Sequence, residues 1–121
     1  MTDLKNKIAL VTGAGSGIGR ATSVALSVKG AKVIVTDRNE DSGNNSVENI
    51  ISNGGKAVFY KLDVSNSSEI ETVIKKIFDI EGSIDLAVNN AGIGGNFDGI
   101  HKLSLKDWNN TININLTGVF C

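Results

Sequence analysis

The 121-residue chain carries 12 Lys and Arg residues against 13 Asp and Glu residues, which gives a net charge of −1. No basic stripe indicates a nucleic-acid partner or an anionic membrane surface, so we exclude both function classes. The single cysteine, Cys121, excludes a disulfide framework and a Cys-based metal site, and it fits a cytoplasmic location. The length predicts one domain, spanning residues 1–121, and no apolar run is long enough for a signal peptide or a membrane span.

Four short apolar runs predict four strands, at residues 8–11, 33–36, 57–62 and 84–88. Polar residues rarely alternate with apolar ones in these runs. Strands that are apolar on both faces are typical of a parallel sheet that helices cover on both sides.

Segments with helical periodicity follow the first two strands. The positions that we expect in the core are Ile18, Ala21, Ala25 and Val28 in the first helix and Val47, Ile50 and Ile51 in the second. Gly30 is placed to end the first helix. Gly43 and the asparagines after it predict a poor start for the second helix, because both residue types disfavour helix interiors.

The third predicted helix has the clearest apolar stripe, which consists of Ile70, Val73, Ile74, Ile77 and Phe78. Asn66 and Glu69 have the spacing of a capping box, and Gly82 is placed to end this helix. A fourth helix is expected to begin near Ser104, and its apolar face is Leu105, Trp108, Ile112 and Leu116.

The alternation of strands and helices predicts an α/β fold with a doubly wound parallel sheet of the Rossmann type, built from four β-α units. In such sheets, ligands bind outside the carboxyl ends of the strands. The informative residues should therefore come directly after each strand, and the glycine-bearing loop at 93–103 is where a substrate would be expected.

A glycine-rich turn separates the first strand from the first helix, with the spacing Gly13-x3-Gly17-x-Gly19. This spacing departs from the strict G-x-G-x-x-G fingerprint. Glycines let a backbone approach a phosphate closely, and a helix amino terminus favours negative charge. We therefore predict that the turn, with Ser16 and Ile18, binds the diphosphate of a dinucleotide. The alternative is a glycine-rich turn that has no ligand.

Asp37 follows the second predicted strand, eighteen positions after Gly19. A carboxylate at about this distance can accept hydrogen bonds from the adenosine ribose of NAD, and it would repel the 2′-phosphate of NADP. The neighbouring Arg38 could instead reach a 2′-phosphate or lie over the adenine, although we expect a solvated neighbour of Asp37. We expect NAD in preference to NADP. The alternative for Asp37 is a solvated carboxylate at a strand end.

Two further motifs follow the third and fourth strands. Asp63 and Val64 come after the third strand, where a ligand contact and a strand-ending carboxylate near a helix cap explain the pair about equally well. Asn90, Ala91 and Gly92 come after the fourth, within an Asn-Asn-Ala-Gly segment. Small residues there would let the backbone approach a cofactor, although a plain turn uses the same residue types.

These motifs together resemble the short-chain dehydrogenase/reductase family, and the resemblance covers residues 7–121. It implies an NAD(P)-dependent oxidoreductase that acts mostly on alcohols and ketones. It places Asp63 and Val64 at the adenine, and the Thr12 hydroxyl against the segment at 89–92. Family members that use NADP often carry a basic residue where Ser16 stands here, which again favours NAD.

The resemblance also assigns a catalytic role to Asn115, in an Asn-Leu-x-Gly segment at 115–118. In the family this asparagine helps to hold a water that connects the catalytic lysine to solvent. The alternative is an amide that is bonded within its own helix. Asn113, two residues earlier, is expected to be structural.

The family's catalytic Tyr-x3-Lys pair has no counterpart in these 121 residues. The only tyrosine, Tyr60, lies in the third predicted strand and is followed four positions later by Val64. His101 is expected to be a solvated loop residue. We therefore expect the sequence to correspond to the amino-terminal, cofactor-binding half of a dehydrogenase, whose open fourth strand and apolar fourth helix favour a homo-oligomer.

Two other function classes stay open. One is a dinucleotide-binding module that does not turn its ligand over, and the other is a scaffold that binds nothing. Asp37, Asp63 and Asn90 disfavour the scaffold, because a protein that binds no dinucleotide does not need these ligand-contacting residues.

Overall fold

Within residues 3–121, which the computed structural model describes, four parallel strands form one sheet. The strands are β1 (Ile8–Val11), β2 (Lys32–Asp37), β3 (Lys56–Lys61) and β4 (Leu86–Val88), in the order β3-β2-β1-β4. The chain runs outward from β1 to β3 and then returns to place β4 on the other side of β1. The strand order therefore reverses between β1 and β4, where doubly wound sheets open a crevice.

The first three helices connect the strands and cover the two faces of the sheet, and two further helices follow the last strand. They are α1 (Gly17–Val28), α2 (Glu40–Ser52), α3 (Ser67–Glu81), α4 (Leu105–Ile112) and α5 (Gly118–Phe120). A 3-10 turn (Ile100–Lys102) precedes α4, and a π-helical segment (Asn113–Thr117) joins α4 to α5. None of the helices described in residues 3–121 has the length and apolar character needed to span a membrane.

Alternate residues of the strands supply two separate cores. Val11, Val33 and Val35 pack with α1 and α2 on one face of the sheet. Leu10 and Ile34 face the other way and pack against α3. Side chains that alternate between two covered faces explain why these strands read as nearly continuous apolar runs, and the predicted α/β doubly wound fold is confirmed.

The fourth strand is shorter than predicted. Its ladder with β1 covers Leu86–Val88, not residues 84–88. Asp85 explains the difference, because its amide donates to the Ile8 carbonyl at 2.9 Å while its carboxylate accepts from the Ile8 amide at 2.8 Å. A side chain thus takes the place of one backbone partner at this end of the strand.

The predicted core face of α1 is wrong. The four residues concerned are all exposed: Ile18, Ala21, Ala25 and Val28. The helix instead buries Gly19 and Ser23, and the Ser23 hydroxyl donates to the Gly19 carbonyl at 2.8 Å. A Cβ on Gly19 would lie 2.2 Å from the Gly13 carbonyl oxygen, so α1 is packed too closely for a large apolar residue there.

The start of α2 is more favourable for helix formation than the sequence indicates. The Asn39 side chain caps the helix by accepting from the Ser42 amide at 2.9 Å. Gly43 is buried under the Phe59 ring, which a Cβ would approach to 2.1 Å. Gly43 is therefore needed for close packing on β3, and its cost in helix propensity is offset by that contact. Ile51, which was expected in the core, is exposed.

The expected capping box of α3 forms only in part. Asn66 accepts from the Glu69 amide at 3.1 Å, but the Glu69 carboxylate accepts from the amide of Asp63 instead of Asn66. Gly82 ends the helix with φ +84°, as expected. Phe78 at the edge of the stripe is exposed, whereas Ile70 and Ile77 are buried.

The apolar face predicted for the fourth helix is largely uncovered in the described chain. Leu105, Trp108 and Leu116 are exposed, whereas Ile114 is buried. The π-helical segment adds a residue to the turn after α4, so the positions beyond Ile112 no longer follow the 3.6-residue spacing that the prediction assumed.

Candidate functional site

A cavity of about 510 Å³ lies at the carboxyl ends of the strands. Eleven of the predicted site residues line it: Gly13, Ser16, Gly17, Ile18, Asp37, Arg38, Asp63, Val64, Asn90, Ala91 and Gly92. Leu62, Ile93 and Ile114 complete the lining. The two other predicted residues, Gly19 and Asn115, lie behind the wall, and both contact residues that line the cavity.

Gly13 and Gly17 have different roles in the glycine turn. Gly13 and Gly17 have φ values of +60° and +51°, which favour glycine. A Cβ on Gly13 would lie 2.9 Å from the Ala91 Cα, so Gly13 lets the turn contact the segment after β4. A Cβ on Gly17 would meet no described atom within 4 Å, so Gly17 borders open space in the cavity.

The amino terminus of α1 faces this cavity with no compensating side chain in the described chain. Ser16 is the N-cap in an extended conformation, and its side chain makes no capping hydrogen bond. No acidic residue occupies the first turn. The unpaired amides and the positive end of the helix dipole are therefore directed to the cavity, an arrangement that suits an anion.

Two backbone amides hold the Asp37 carboxylate in place at the end of β2. The Gly15 amide donates to Oδ2 at 2.9 Å, and the Asn39 amide donates to Oδ1 at 2.9 Å. A Cβ on Gly15 would lie 2.8 Å from Oδ2, so only glycine allows this contact. Each carboxylate oxygen keeps further acceptor capacity for a ligand hydroxyl.

Asp63 is a charged acceptor at the end of β3. The Ser65 hydroxyl and amide donate to its Oδ1 at 2.7 and 2.9 Å. These hydrogen bonds, with a smaller contribution from the positive charge of Arg38, hold the pKa of Asp63 below its ordinary value against the opposing effect of partial burial. The carboxylate is therefore ionised at neutral pH.

The segment after β4 is tied to the glycine turn. The Thr12 hydroxyl accepts from the amides of Asn90 and Ala91 at 3.1 and 3.0 Å. The Asn90 side chain donates to the carbonyls of Thr12 and Gly13 at 3.1 and 3.2 Å. These four bonds hold two walls of the cavity together, and they include the Thr12 contact that the family resemblance implies.

Asn115 fastens the same wall from the far side. Its Oδ1 accepts from the Ile93 amide at 2.8 Å, and its Nδ2 donates to the Ile93 carbonyl at 2.8 Å. The side-chain amide is therefore bonded to the segment after β4 and not to its own helix. This contact supports the wall, and the catalytic role of Asn115 stays a prediction.

Neither Tyr60 nor His101 lines the cavity. Tyr60 is half-buried and packs against the α3-facing core, with the Lys76 ammonium 5.7 Å from its ring centroid. His101 is exposed in the 3-10 turn. Within residues 3–121, no tyrosine or histidine lines the cavity, and no group of three or more His, Cys, Asp or Glu side chains could hold a metal ion.

Three apolar lining residues, Leu62, Ile93 and Ile114, are not among the predicted site residues. Leu62 and Ile93 are neighbours of predicted site residues, so their proximity was an available signal. Ile114 comes from the π-helical segment, and no local pattern places it at the strand ends. Arg20, directly after the glycine turn, was also missed, although it contacts the turn.

Comparison with known proteins assigns the chain to a family. The family model for short chain dehydrogenases matches residues 7–121. The chain is 42% identical over 121 residues to a 3-oxoacyl-[acyl-carrier-protein] reductase from Synechocystis, covering 99% of this chain and 49% of that protein. It is 37% identical to a cyclohexanol dehydrogenase from Acinetobacter, covering 95% of this chain and 46% of that one.

Solved structures agree with this assignment. A metagenomic short-chain oxidoreductase crystallised with NADP superposes with a TM-score of 0.94 at 31% identity, covering 98% of this chain and 54% of that one. The chain spans about half the length of the curated relatives it matches. The matched family model, the relatives and the shared architecture show that the chain belongs to the short-chain dehydrogenase family.

Proposed function

We propose that this chain is the NAD-binding part of an oxidoreductase, and that its single dinucleotide-binding domain spans residues 1–121. The observation that carries the proposal is the cavity, where an uncapped helix amino terminus meets two carboxylates and an asparagine-bearing segment. The uncapped helix terminus would bind the diphosphate, and the carboxylates would accept hydrogen bonds from the ribose and the adenine.

The glycine turn fits a dinucleotide. Side chains at positions 13, 15 and 19 would collide with protein atoms, whereas the space beside Gly17 is open to the cavity. The turn thus leaves room for a diphosphate at the point where the helix dipole favours negative charge. Gly13, Ser16, Gly17 and Ile18 would hold the diphosphate.

The remaining lining residues would contact the other parts of the cofactor. Asp37 would accept from the adenosine ribose, and Asp63 with Val64 would border the adenine. Asn90, Ala91 and Gly92 would contact the ribose on the nicotinamide side. When bound, a nicotinamide cofactor supplies the hydride acceptor or donor, while these residues orient it and keep its charged groups paired.

Asp37 supports NAD over NADP as the cofactor. Its carboxylate is fixed by two amides and cannot turn away without losing both bonds. A 2′-phosphate beside it would place two negative charges together, which costs on the order of several kcal/mol at an interface. Arg38 lines the same region and would lie beside the adenine.

The proposal extends to the whole oxidoreductase. Its substrate would be a small alcohol or ketone, and Asn115 would take the water-holding role that the family resemblance implies. We also propose a cytoplasmic homo-oligomer. The exposed apolar residues of α4 and the lone cysteine support these two points.

Calorimetric titration of the chain with NAD, NADH and NADP tests the proposal. We expect NAD and NADH to bind more tightly than NADP. Asp37→Ser should narrow the difference in affinity between NAD and NADP. Asp41→Ser is the matched control, because it removes the same charge from the exposed first turn of α2. An unchanged ratio of NAD to NADP affinity in Asp37→Ser would refute the role of this carboxylate.

A second candidate function is binding without turnover. It is favoured by the position of Tyr60, which is half-buried against the α3-facing core, so that the described cavity has no tyrosine. NAD binding together with no alcohol-dependent formation of NADH would support this function for the 121-residue chain.

A further inference from the structure

The Arg20 side chain bridges the glycine turn and α2. Its Nε donates to the Ser46 hydroxyl at 2.9 Å, and its Nη2 donates to the carbonyls of Gly15 and Ser42. Arg20 lies in the first turn of α1, so one guanidinium joins α1, the turn and α2. It does not itself belong to the described lining of the cavity.

Ser46 completes this bridge from inside the protein. It is fully buried, and its hydroxyl donates to the Ala14 carbonyl at 2.8 Å while accepting from Arg20. The carbonyls of Ala14 and Gly15 are therefore both bonded to one Arg–Ser pair. Both residues lie in the part of the turn between Gly13 and Gly17.

The peptide units on the two sides of Gly15 are held by groups of opposite charge. The Gly15 amide donates to the Asp37 carboxylate at 2.9 Å, and the Gly15 carbonyl accepts from the Arg20 guanidinium. Hydrogen bonds to charged groups are stronger than bonds between neutral groups. The conformation of Gly15 is thus coupled to the position of Asp37.

We propose that Arg20 is a positioning residue for the adenosine half of the cofactor, which it serves by fixing the Gly15 carbonyl and hence the register between the glycine turn and Asp37. This inference rests on the proposed NAD-binding function. Arg20 acts through Gly15 and Ser46, and it contacts no part of the cofactor.

The geometry of the guanidinium explains why an arginine is used. Its planar fork presents several N–H donors in fixed directions, so it reaches two carbonyls and one hydroxyl at the same time. A lysine would keep the charge but concentrate its donors at one atom. The turn therefore depends on the shape of the side chain as well as on its charge.

The test is titration of the 121-residue chain and its variants with NAD and with ADP-ribose, which lacks the nicotinamide ring. Arg20→Met should lower the affinities for both ligands by the same factor, about tenfold, because the lost interactions concern the adenosine half that the two ligands share. Arg20→Lys should resemble Arg20→Met more closely than the wild type. Amide hydrogen exchange at Gly15 should become faster in the ligand-free variants.

Lys32→Met is the matched control. It removes a cation that is paired with Glu81 at 2.7 Å and belongs to the opposite end of β2 from Asp37. We expect it to lower the stability of the chain and to leave both affinities unchanged. Ser46→Ala keeps Arg20 but removes one of its acceptors, and should weaken both ligands by about threefold; it serves as a second variant if Arg20→Met does not fold.

The outcomes separate this inference from the proposed function. A wild-type chain that binds neither ligand would refute the NAD-binding function and the role of Arg20 with it. If the wild-type chain binds both ligands, and Arg20→Met and Ser46→Ala bind them as tightly as the wild type does, only the role of Arg20 is overturned. The same holds if Arg20→Lys retains full affinity and slow exchange at Gly15.

Discussion

The amino termini of α1 and α3 lie at the same edge of the sheet and are built in different ways. At α3, the Asn66 side chain caps the Glu69 amide, and Glu69 is an acidic residue in the first turn. The termini of α2 and α4 follow the same pattern, with a capping side chain and acidic residues. At α1, neither a capping bond nor an acidic residue is found in the described chain.

This difference supports the amino terminus of α1 as the proposed binding site for an anion. A capped terminus has its amides and its dipole compensated by the protein, so an anion gains little there. An uncapped terminus next to a cavity keeps that interaction available. The glycines that shape the turn at α1 serve the same purpose, since they bring the backbone close to the open space.

The largest effect is expected from Gly19→Ala, which would break the packing of α1. The new Cβ would lie 2.2 Å from the Gly13 carbonyl oxygen and 2.5 Å from the side-chain Nδ2 of Asn90, so the backbone must shift. We expect a loss of about 2–3 kcal/mol in the free energy of unfolding, measured by urea denaturation. Gly94→Ala is the control, because its nearest neighbour is the movable Phe97 ring.

Gly17→Ala should separate ligand binding from stability. There is space for the Cβ in the described chain, but φ is +51°, so we expect a loss of about 1 kcal/mol in unfolding free energy. The methyl group would enter the space proposed for the diphosphate, so NAD affinity should fall by more than this strain accounts for. Unchanged NAD affinity by calorimetry would argue against the diphosphate site at α1.

A pair of cap substitutions tests the comparison directly. Asn66→Ala removes the cap of α3 and should lower the free energy of unfolding by about 1 kcal/mol. Ser16→Ala removes no capping bond and should change it by only about 0.2 kcal/mol, within the range of ordinary surface substitutions. Thermal or urea denaturation of both variants measures this. Equal losses would show that Ser16 caps α1 after all.

The smallest effect is a titration shift near the start of α3. Ser65→Ala removes the hydroxyl bond that contributes most to lowering the pKa of Asp63, so this pKa should move up toward its ordinary value. Because the folded pKa lies below the unfolded one, the stabilisation by this carboxylate is present above the unfolded pKa and lost as the pH falls through the folded pKa. Carboxyl NMR titration of both proteins measures the shift, and an unmoved pKa would contradict the assignment.

Much of the fold could be predicted from the sequence, because the four apolar runs and the glycine turn are local signals. The buried face of α1 could not, since hydropathy selects Ile18 and Val28, whereas close packing selects Gly19 and Ser23. The buried hydroxyl of Ser23 is satisfied within its own helix, which a hydropathy pattern does not register.

Part of the candidate site could be predicted, because the carboxyl ends of parallel strands meet at one edge of the sheet. Asp37, Asp63 and Asn90 lie at the carboxyl ends of three different strands, and the parallel sheet brings all three to one cavity. The bridge from Arg20 to Ser46 spans 26 positions and depends on how α1 and α2 lie together. No spacing rule connects two such residues, so the contact emerges only from the structure.

The bonds between Thr12 and Asn90 have a consequence for folding. They join residues 78 positions apart, and they form only when β4 has docked beside β1. Closing so long a loop is entropically costly and slow, so this wall of the cavity should be completed late in folding. A nucleotide that needs both walls would bind only chains that have completed this step, and by mass action it would shift the population toward them.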